Sequence, residues 1–357
     1  MEKNSLIRRL LSIIGLLAIA VVAGAASSLL VADSVIGELA ATSFYAPSVP
    51  ARPTTSVNGT RVSDSVRAFV SIYKKRSSSG LGLDKILLPS DRIGAGIVLT
   101  TDGWIVFPSA LLAGDAPLVA VFNEAPPASF NPTAALRDDA TGVAFVKIGA
   151  QRLSVAPFGD DSGIHSADPI FLADSSSVAA TSVLLPRFLP VSVKADYLES
   201  SERLGRRIMV DRNGLPGEAV VNANGETVGL SLGDGTAVPV SFIEQVMRGV
   251  FRDGKITRPK LGVRFISLDG LPNAKEAGFP ATGALLASSG SIRAVVKGSA
   301  AETAGLKEGD VIIAVEHDRI DNKGTLSERL QDYAPGTKVE FTLLRGGQQV
   351  KAEVTLK

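Results

Sequence analysis

A chain of 357 residues has room for two or three domains, and a composition of 45% hydrophobic against 20% charged residues excludes a disordered polypeptide. Lys and Arg number 37 against 36 Asp and Glu, a balance that leaves no basic footprint for nucleic acid. With no cysteine there are no disulfides, thiolate metal sites or cysteine nucleophile, and any imidazole chemistry must draw on two histidines, His165 and His317.

From Leu10 to Ala32 run 23 uncharged residues, enough to cross about 30 Å of hydrocarbon as a helix. Lys3, Arg8 and Arg9 precede the run; Asp33 and Glu38 follow it. The positive-inside rule therefore predicts a cytoplasmic tail (1–9), a transmembrane anchor (10–32) and an extracytoplasmic body, single-pass in the cell membrane. Ala23-Gly24-Ala25 offers a leader-cleavage site, but the apolar run continues through Leu29, Leu30 and Val31, which favours an uncleaved signal anchor. Residues 33–61 read as a linker, rich in Pro, Ser and Thr from residue 46 onward.

Short apolar or alternating runs then recur between Gly, Pro, Asp and Asn: Ala68–Tyr73, Gly96–Thr100, Trp104–Phe107, Leu118–Phe122, Val143–Ile148, Pro169–Leu172, Ala219–Val221 and Thr227–Leu232. Such spacing predicts paired barrels or sandwiches rather than alternating strand and helix. Lys74–Arg92 lacks a periodic pattern and reads as a solvated loop. Helix signals come late. Ser241 and Glu244 form a capping-box pattern ahead of Phe242, Ile243, Val246, Met247, Val250 and Phe251, with Asp253-Gly254 as the stop. Ser299/Glu302 and Thr325/Glu328 repeat the pattern, between and before strands expected at Val311–Glu316, Lys338–Leu344 and Gln349–Leu356. Gly346-Gly347 reads as a hairpin turn. Residues 62–250 and 256–357 are thus expected as two domains, the second α+β.

Four stretches of the second domain resemble a bacterial PDZ domain: Arg258-Pro259-Lys260-Leu261-Gly262-Val263, Gly298–Leu306, Glu308-Gly309-Asp310-Val311-Ile312 and Leu344-Arg345-Gly346-Gly347. In the first domain, Gly94-Ala95-Gly96-Ile97, Asp102-Gly103-Trp104-Ile105, Thr141–Ile148, Asn222–Glu226 and Ala237–Val240 look like framework segments of the HtrA/Deg family of extracytoplasmic serine proteases. The resemblance implies an all-β chymotrypsin-like double β-barrel followed by the PDZ domain. It also implies triad positions, and here each is vacant. The family's Thr-Asn-x-His-Val reads Phe107-Pro108-Ser109-Ala110-Leu111, the orienting Asp falls on Gly142, and Gly-Asn-Ser-Gly-Gly-Pro reads Gly214-Leu215-Pro216-Gly217-Glu218-Ala219.

Acyl transfer needs an activated nucleophile, a base within reach and N–H donors where the oxyanion develops. Ala110, Gly142 and Pro216 supply none of the side chains, Pro216 also lacks the N–H of its own position, and Glu218 brings a negative charge near any oxyanion. Two readings follow: a pseudoprotease acting in envelope quality control or signalling, or an active HtrA-like endopeptidase with a non-standard catalytic set. For the second, Asp160, Asp161, Ser162, His165 and Asp168 form a local cluster that reads more simply as a polar turn, as does His317-Asp318. No metal-ligand spacing or cofactor motif is present.

The PDZ resemblance further implies that Lys260, Leu261, Gly262 and Val263 cradle the carboxylate of a peptide or protein carboxy terminus on backbone amides. The ligand would add as a strand beside Arg264, Phe265 and Ile266, with Leu326 and Leu330 lining an apolar pocket or simply filling the core. Relatives often form homotrimers through residues before the first barrel, a role the resemblance would give Phe44-Tyr45.

Overall fold

The computed structural model describes residues 59–75, 86–188 and 198–357. The expected tail (1–9), anchor (10–32), most of the linker, Phe44-Tyr45 and the middle of the Lys74–Arg92 loop lie outside these residues. Helix α1 (Gly59–Ser65) takes up the last three residues of the expected linker, because Val62 and Ser65 give it a buried side.

Seven strands follow: β1 (Phe69–Lys74), β2 (Arg92–Val98), β3 (Trp104–Pro108), β4 (Leu118–Phe122), β5 (Ala128–Phe130), β6 (Leu136–Asp138) and β7 (Val143–Lys147). They form one antiparallel sheet in the order β5-β4-β1-β2-β3-β7-β6. Most read as apolar runs rather than strict alternation because both faces are covered. Phe69, Ile97, Val106 and Phe145 enter a core shared with the next half. Their neighbours Val70, Val98, Ile105, Phe107 and Val146 enter a core of the sheet's own.

The second half continues with β8 (Pro169–Ala173), β9 (Val178–Phe188), β10 (Glu199–Ser200), β11 (Arg207–Val210), β12 (Ala219–Asn222), β13 (Thr227–Ser231) and β14 (Thr236–Pro239). All but β10 close into a barrel ordered β11-β14-β13-β12-β8-β9 around Ile170, Leu172, Val183, Ile208, Val220 and Val228. Helix α2 (Val240–Asp253) buries Phe242, Ile243, Val246 and Val250, and Gly254 ends it at φ +60°. Its start differs from the sequence expectation. The helix begins at Val240, so Ser241 lies within the first turn, and Asp161 Oδ1 accepts from the Ser241 N–H at 2.9 Å. A carboxylate distant in sequence does the capping that Ser241 and Glu244 were expected to do.

The last domain holds β15 (Arg264–Ser267), β16 (Ala284–Leu286), α3 (Ala300–Thr303), β17 (Val311–Val315), β18 (Asp318–Arg319), α4 (Leu326–Leu330), β19 (Lys338–Arg345) and β20 (Gln348–Thr355). Thr325 and Glu328 form a complete capping box on α4. Before α3, Ser299 accepts from the Glu302 N–H, while the Glu302 carboxylate turns to the Gly298 N–H instead of back to Ser299. Gly346 and Gly347, at φ +57° and +80°, supply the two left-handed residues of a tight hairpin. The sheet runs β10-β15-β16-β17-β19-β20 with β18 on β17. Its edge strand β10 comes from between two barrel strands, and that crossing decides how the site is built.

Candidate functional site

The turns carrying Ala110, Gly142 and Pro216, the positions that the resemblance assigns to a triad, meet around β2 and β3. Ala110 sits exposed on a 3-10 turn, Ser109–Leu112, directly after β3. Ser109 donates both its N–H and its hydroxyl to the Gly142 carbonyl, each at 2.9 Å, which clips this turn to the 138–142 turn. Gly142 adopts φ +83°. Pro216 is bound to β2 from the other side: its carbonyl accepts from Ala95 N–H at 2.9 Å. A Cβ at Gly94 would lie 2.5 Å from that carbonyl and 2.6 Å from Leu111 Cδ1, so only glycine lets the turns meet.

The 214–218 loop, to which the resemblance assigns the nucleophile, holds a carboxylate of its own. Glu218 is buried, and its Oε2 accepts from the Leu215 N–H at 2.9 Å. A Cβ on Gly214 would fall 1.9 Å from the same oxygen, so the carboxylate lies folded against the 214–218 loop. Burial pushes the Glu218 carboxyl up, and the Leu215 N–H only partly offsets that. Gly217, at φ +92°, packs so tightly on β2 that a Cβ there would lie 1.8 Å from the Ala95 carbonyl oxygen.

The cluster around His165 is tied together by turn hydrogen bonds, with His165 Nδ1 3.6 Å from Asp168 Oδ2. Asp160 accepts from the Ser162 N–H at 2.8 Å and Asp168 from the His165 N–H at 2.7 Å. Asp161 is committed to the start of α2 and to Arg206 at 3.2 Å. His317 stands in the turn between β17 and β18, as expected of it.

Of the residues that the resemblance assigns to a peptide groove, Gly262, Val263, Arg264 and Phe265 lie along strand β10 and the two residues after it, and β10 occupies the edge of β15. Strand β10 pairs antiparallel with β15, Glu199 opposite Phe265 and Ser200 opposite Arg264. From the other wall, Ser327 of α4 donates its hydroxyl to the Ser200 carbonyl at 3.1 Å. Ser201 exchanges bonds with Val263, its N–H to the Val263 carbonyl and its Oγ accepting from the Val263 N–H, both at 3.1 Å. The Gly262 N–H donates to Glu202 Oε1 at 2.7 Å. The chain thus runs toward the carboxylate loop as a bound peptide would, with a side-chain carboxylate on the amide predicted for a terminal one. Burial opposes ionisation of Glu202, but Ser201, the Gly262 N–H, Ser200 and Arg264 outweigh it and hold the carboxyl below its usual range. Gly262 has a second role: at φ +83° its Cβ would meet Ser299 Cβ at 2.2 Å, so a bulky residue there distorts the loop itself. Lys260 pairs through its backbone with Lys357 at 2.7 and 3.0 Å. Phe265, Leu326 and Leu330 are fully buried in the domain core with Leu261 and Val263. Ile266 lines a cavity of about 620 Å³ with Arg187, Glu199 and Arg206.

Buried charge joins the two halves of the site. Arg258 makes a bidentate pair with Asp138, at 3.0 and 2.7 Å, and also reaches the Phe242 carbonyl and Gln331. Arg206 lies over the Phe242 ring and donates to Glu328 of α4 at 2.7 Å.

Residues 259–356 match the family model described as PDZ domain. The chain is 24% identical over 310 residues to the "Serine endoprotease DegS" of Haemophilus influenzae, covering 81% of this chain and 84% of that one. These matches support an HtrA-family protein. The "Serine protease Do-like HtrA" of Bacillus subtilis is 27% identical over 237 residues, 61% of this chain and 53% of the relative, so the chain spans about half the length of such longer HtrA proteins. Among solved structures, "HtrA-type protease AlgW with tripeptide" superposes with a TM-score of 0.59 at 22% identity, covering 83% of this chain and 96% of that one. The HtrA fold, a chymotrypsin-like β-barrel body followed by a PDZ domain, is therefore present. Sequence reasoning missed Ser200, Ser201 and Glu202, whose polar run carries no local signal of a strand.

Proposed function

We propose that this HtrA-family chain cleaves no peptide bonds and works as a receptor for peptide or protein carboxy termini, tethered at the cell envelope. The observation that carries the first half is the 214–218 loop: Pro216 stands at the nucleophile place and the Glu218 carboxylate fills the space beside it. A tetrahedral oxyanion would meet a carboxyl group where donors are needed, with Ala110 and Gly142 offering no base and no orienting group. The second half is supported by the groove between β15 and α4, whose Gly262 and Val263 amides already hold oxygen ligands of the kind a carboxylate presents. AlgW is an HtrA-type protease solved with a tripeptide, the ligand class proposed here. Anchoring through residues 10–32 places the body outside the cytoplasm in this reading, and a homotrimer would present several grooves on one membrane patch.

The test is direct. Purified full chain should neither label with a serine-reactive fluorophosphonate nor digest unfolded casein, and it should bind peptides ending in a free carboxylate after an apolar residue in preference to their carboxamides. Labelling lost on Ser162→Ala would restore the hydrolase alternative.

A further inference from the structure

We infer that residues 199–202 are a resident, displaceable ligand of the PDZ groove, so that an incoming carboxy terminus must compete with the chain's own strand. The inference rests on the receptor reading of the groove and adds how that groove is regulated. Three observations carry it. The segment enters between β15 and α4, held on one side by strand pairing and on the other by Ser327. It runs in the direction that brings its last residue to the carboxylate loop, and there Glu202 presents an ionised carboxylate to the Gly262 N–H at 2.7 Å. Ser201, fully buried, takes the Val263 amide. A structural strap would need none of this mimicry; an apolar strand would cover the groove at lower desolvation cost.

The segment is also built to be weak. Its regular strand is two residues long, and serine fills the places where apolar side chains would gain burial energy. Tethering supplies the occupancy: an intramolecular ligand sees an effective concentration in the millimolar range, so low intrinsic affinity suffices. External peptide then binds with its intrinsic affinity reduced by the fraction of molecules whose groove is open. Release would not stay local. Just past the segment, Leu204 donates its N–H to the Ala140 carbonyl at 2.9 Å and Arg207 reaches the Thr141 carbonyl at 3.0 Å, the turn that carries Gly142.

Two variants of the full chain test this with a fluorescent peptide ending in valine and its carboxamide twin. Glu202→Gln removes the charge that holds the segment and should tighten binding of the acid peptide about tenfold, the worth of a charge-assisted hydrogen bond. Ser200→Cys/Arg264→Cys joins cross-strand partners in a chain that has no other cysteine. Oxidised, it should bind the acid peptide at least about tenfold more weakly than after reduction. Equal affinity of oxidised and reduced forms would overturn the inference. If no form binds the acid peptide, the receptor reading fails by itself, and hydrogen exchange across 261–263 still decides the strand's role. Faster exchange in Glu202→Gln supports a resident segment held by that carboxylate; unchanged exchange refutes it.

Discussion

Glu199, the first residue of β10, should make the stability of the whole fold depend on pH near neutrality. Its side chain shares the cavity of about 620 Å³ with Arg187, Arg206, Asp269 and Asp321. Burial raises its carboxyl, and the adjacent Glu328 raises it further, to about 7. The two arginines do little to relieve this, because Arg206 is bonded to Glu328 and Asp161, and Arg187 to Glu328 and the Lys323 carbonyl. In the unfolded chain the same carboxyl titrates at 4.5. The folded value is the higher one, so the unfolded chain loses its proton first. Stability is greatest below pH 4.5, falls between 4.5 and 7, and loses nothing more above that. At 1.36 kcal/mol per pH unit, a gap of about 2.5 amounts to about 3 kcal/mol, which water around a partly exposed side chain trims to about 2. Glu199→Gln cannot ionise. Urea unfolding of wild type and variant should give matching stabilities near pH 4.5 and a variant more stable by about 2 kcal/mol at pH 8. Parallel curves across that range would mean that Glu199 ionises normally in the folded protein and that the cavity solvates it.

Arg258→Leu should destabilise by about 3–5 kcal/mol, read from urea midpoints, because it leaves Asp138 charged and buried without its bidentate partner. A shift below about 1 kcal/mol would show that Thr141 and the Ala140 N–H suffice to hold Asp138. Gly217→Ala should cost about 2–4 kcal/mol, since its Cβ would collide with the Ala95 carbonyl at a φ of +92°. Ala110→His, Gly142→Asp and Pro216→Ser combined should leave casein uncut while the Glu218 carboxylate stays in the loop. Robust turnover by that triple variant would show the loop retains protease geometry.

The parts of this fold that were legible in the sequence are those whose cause is local. Strands such as Leu118–Phe122 declare themselves by composition, α2 by its apolar stripe, and the PDZ turns by glycines that the structure places at positive φ. Ala110, Gly142 and Pro216 could be marked in advance because that expectation rests on residue identity at positions the resemblance assigns. What could not be read depends on partners far along the chain. Ser241 looked like a cap until Asp161, 80 residues earlier, took its N–H. Glu218 could be read as a charge hostile to an oxyanion, but not as one that folds back onto Leu215. Glu199-Ser200-Ser201-Glu202 shows no hydrophobic period, and its strand exists only because Val263 and Gly262, some 60 residues later, present an open edge.

The Arg258–Asp138 pair has a consequence for anyone who would take the protein apart. Cutting between residues 250 and 256, where composition draws the domain boundary, separates a buried guanidinium from its buried carboxylate. The barrel fragment keeps an Asp138 that has lost its guanidinium and retains only Thr141 and the Ala140 N–H, and the PDZ fragment keeps an Arg258 with only Gln331 of its acceptors. The same cut strips Glu202 from Gly262, so an excised PDZ domain offers an empty groove that the intact molecule keeps filled. Affinities measured on the fragment would then overstate those of the parent, and the ratio between them would gauge how firmly the parent holds its own segment.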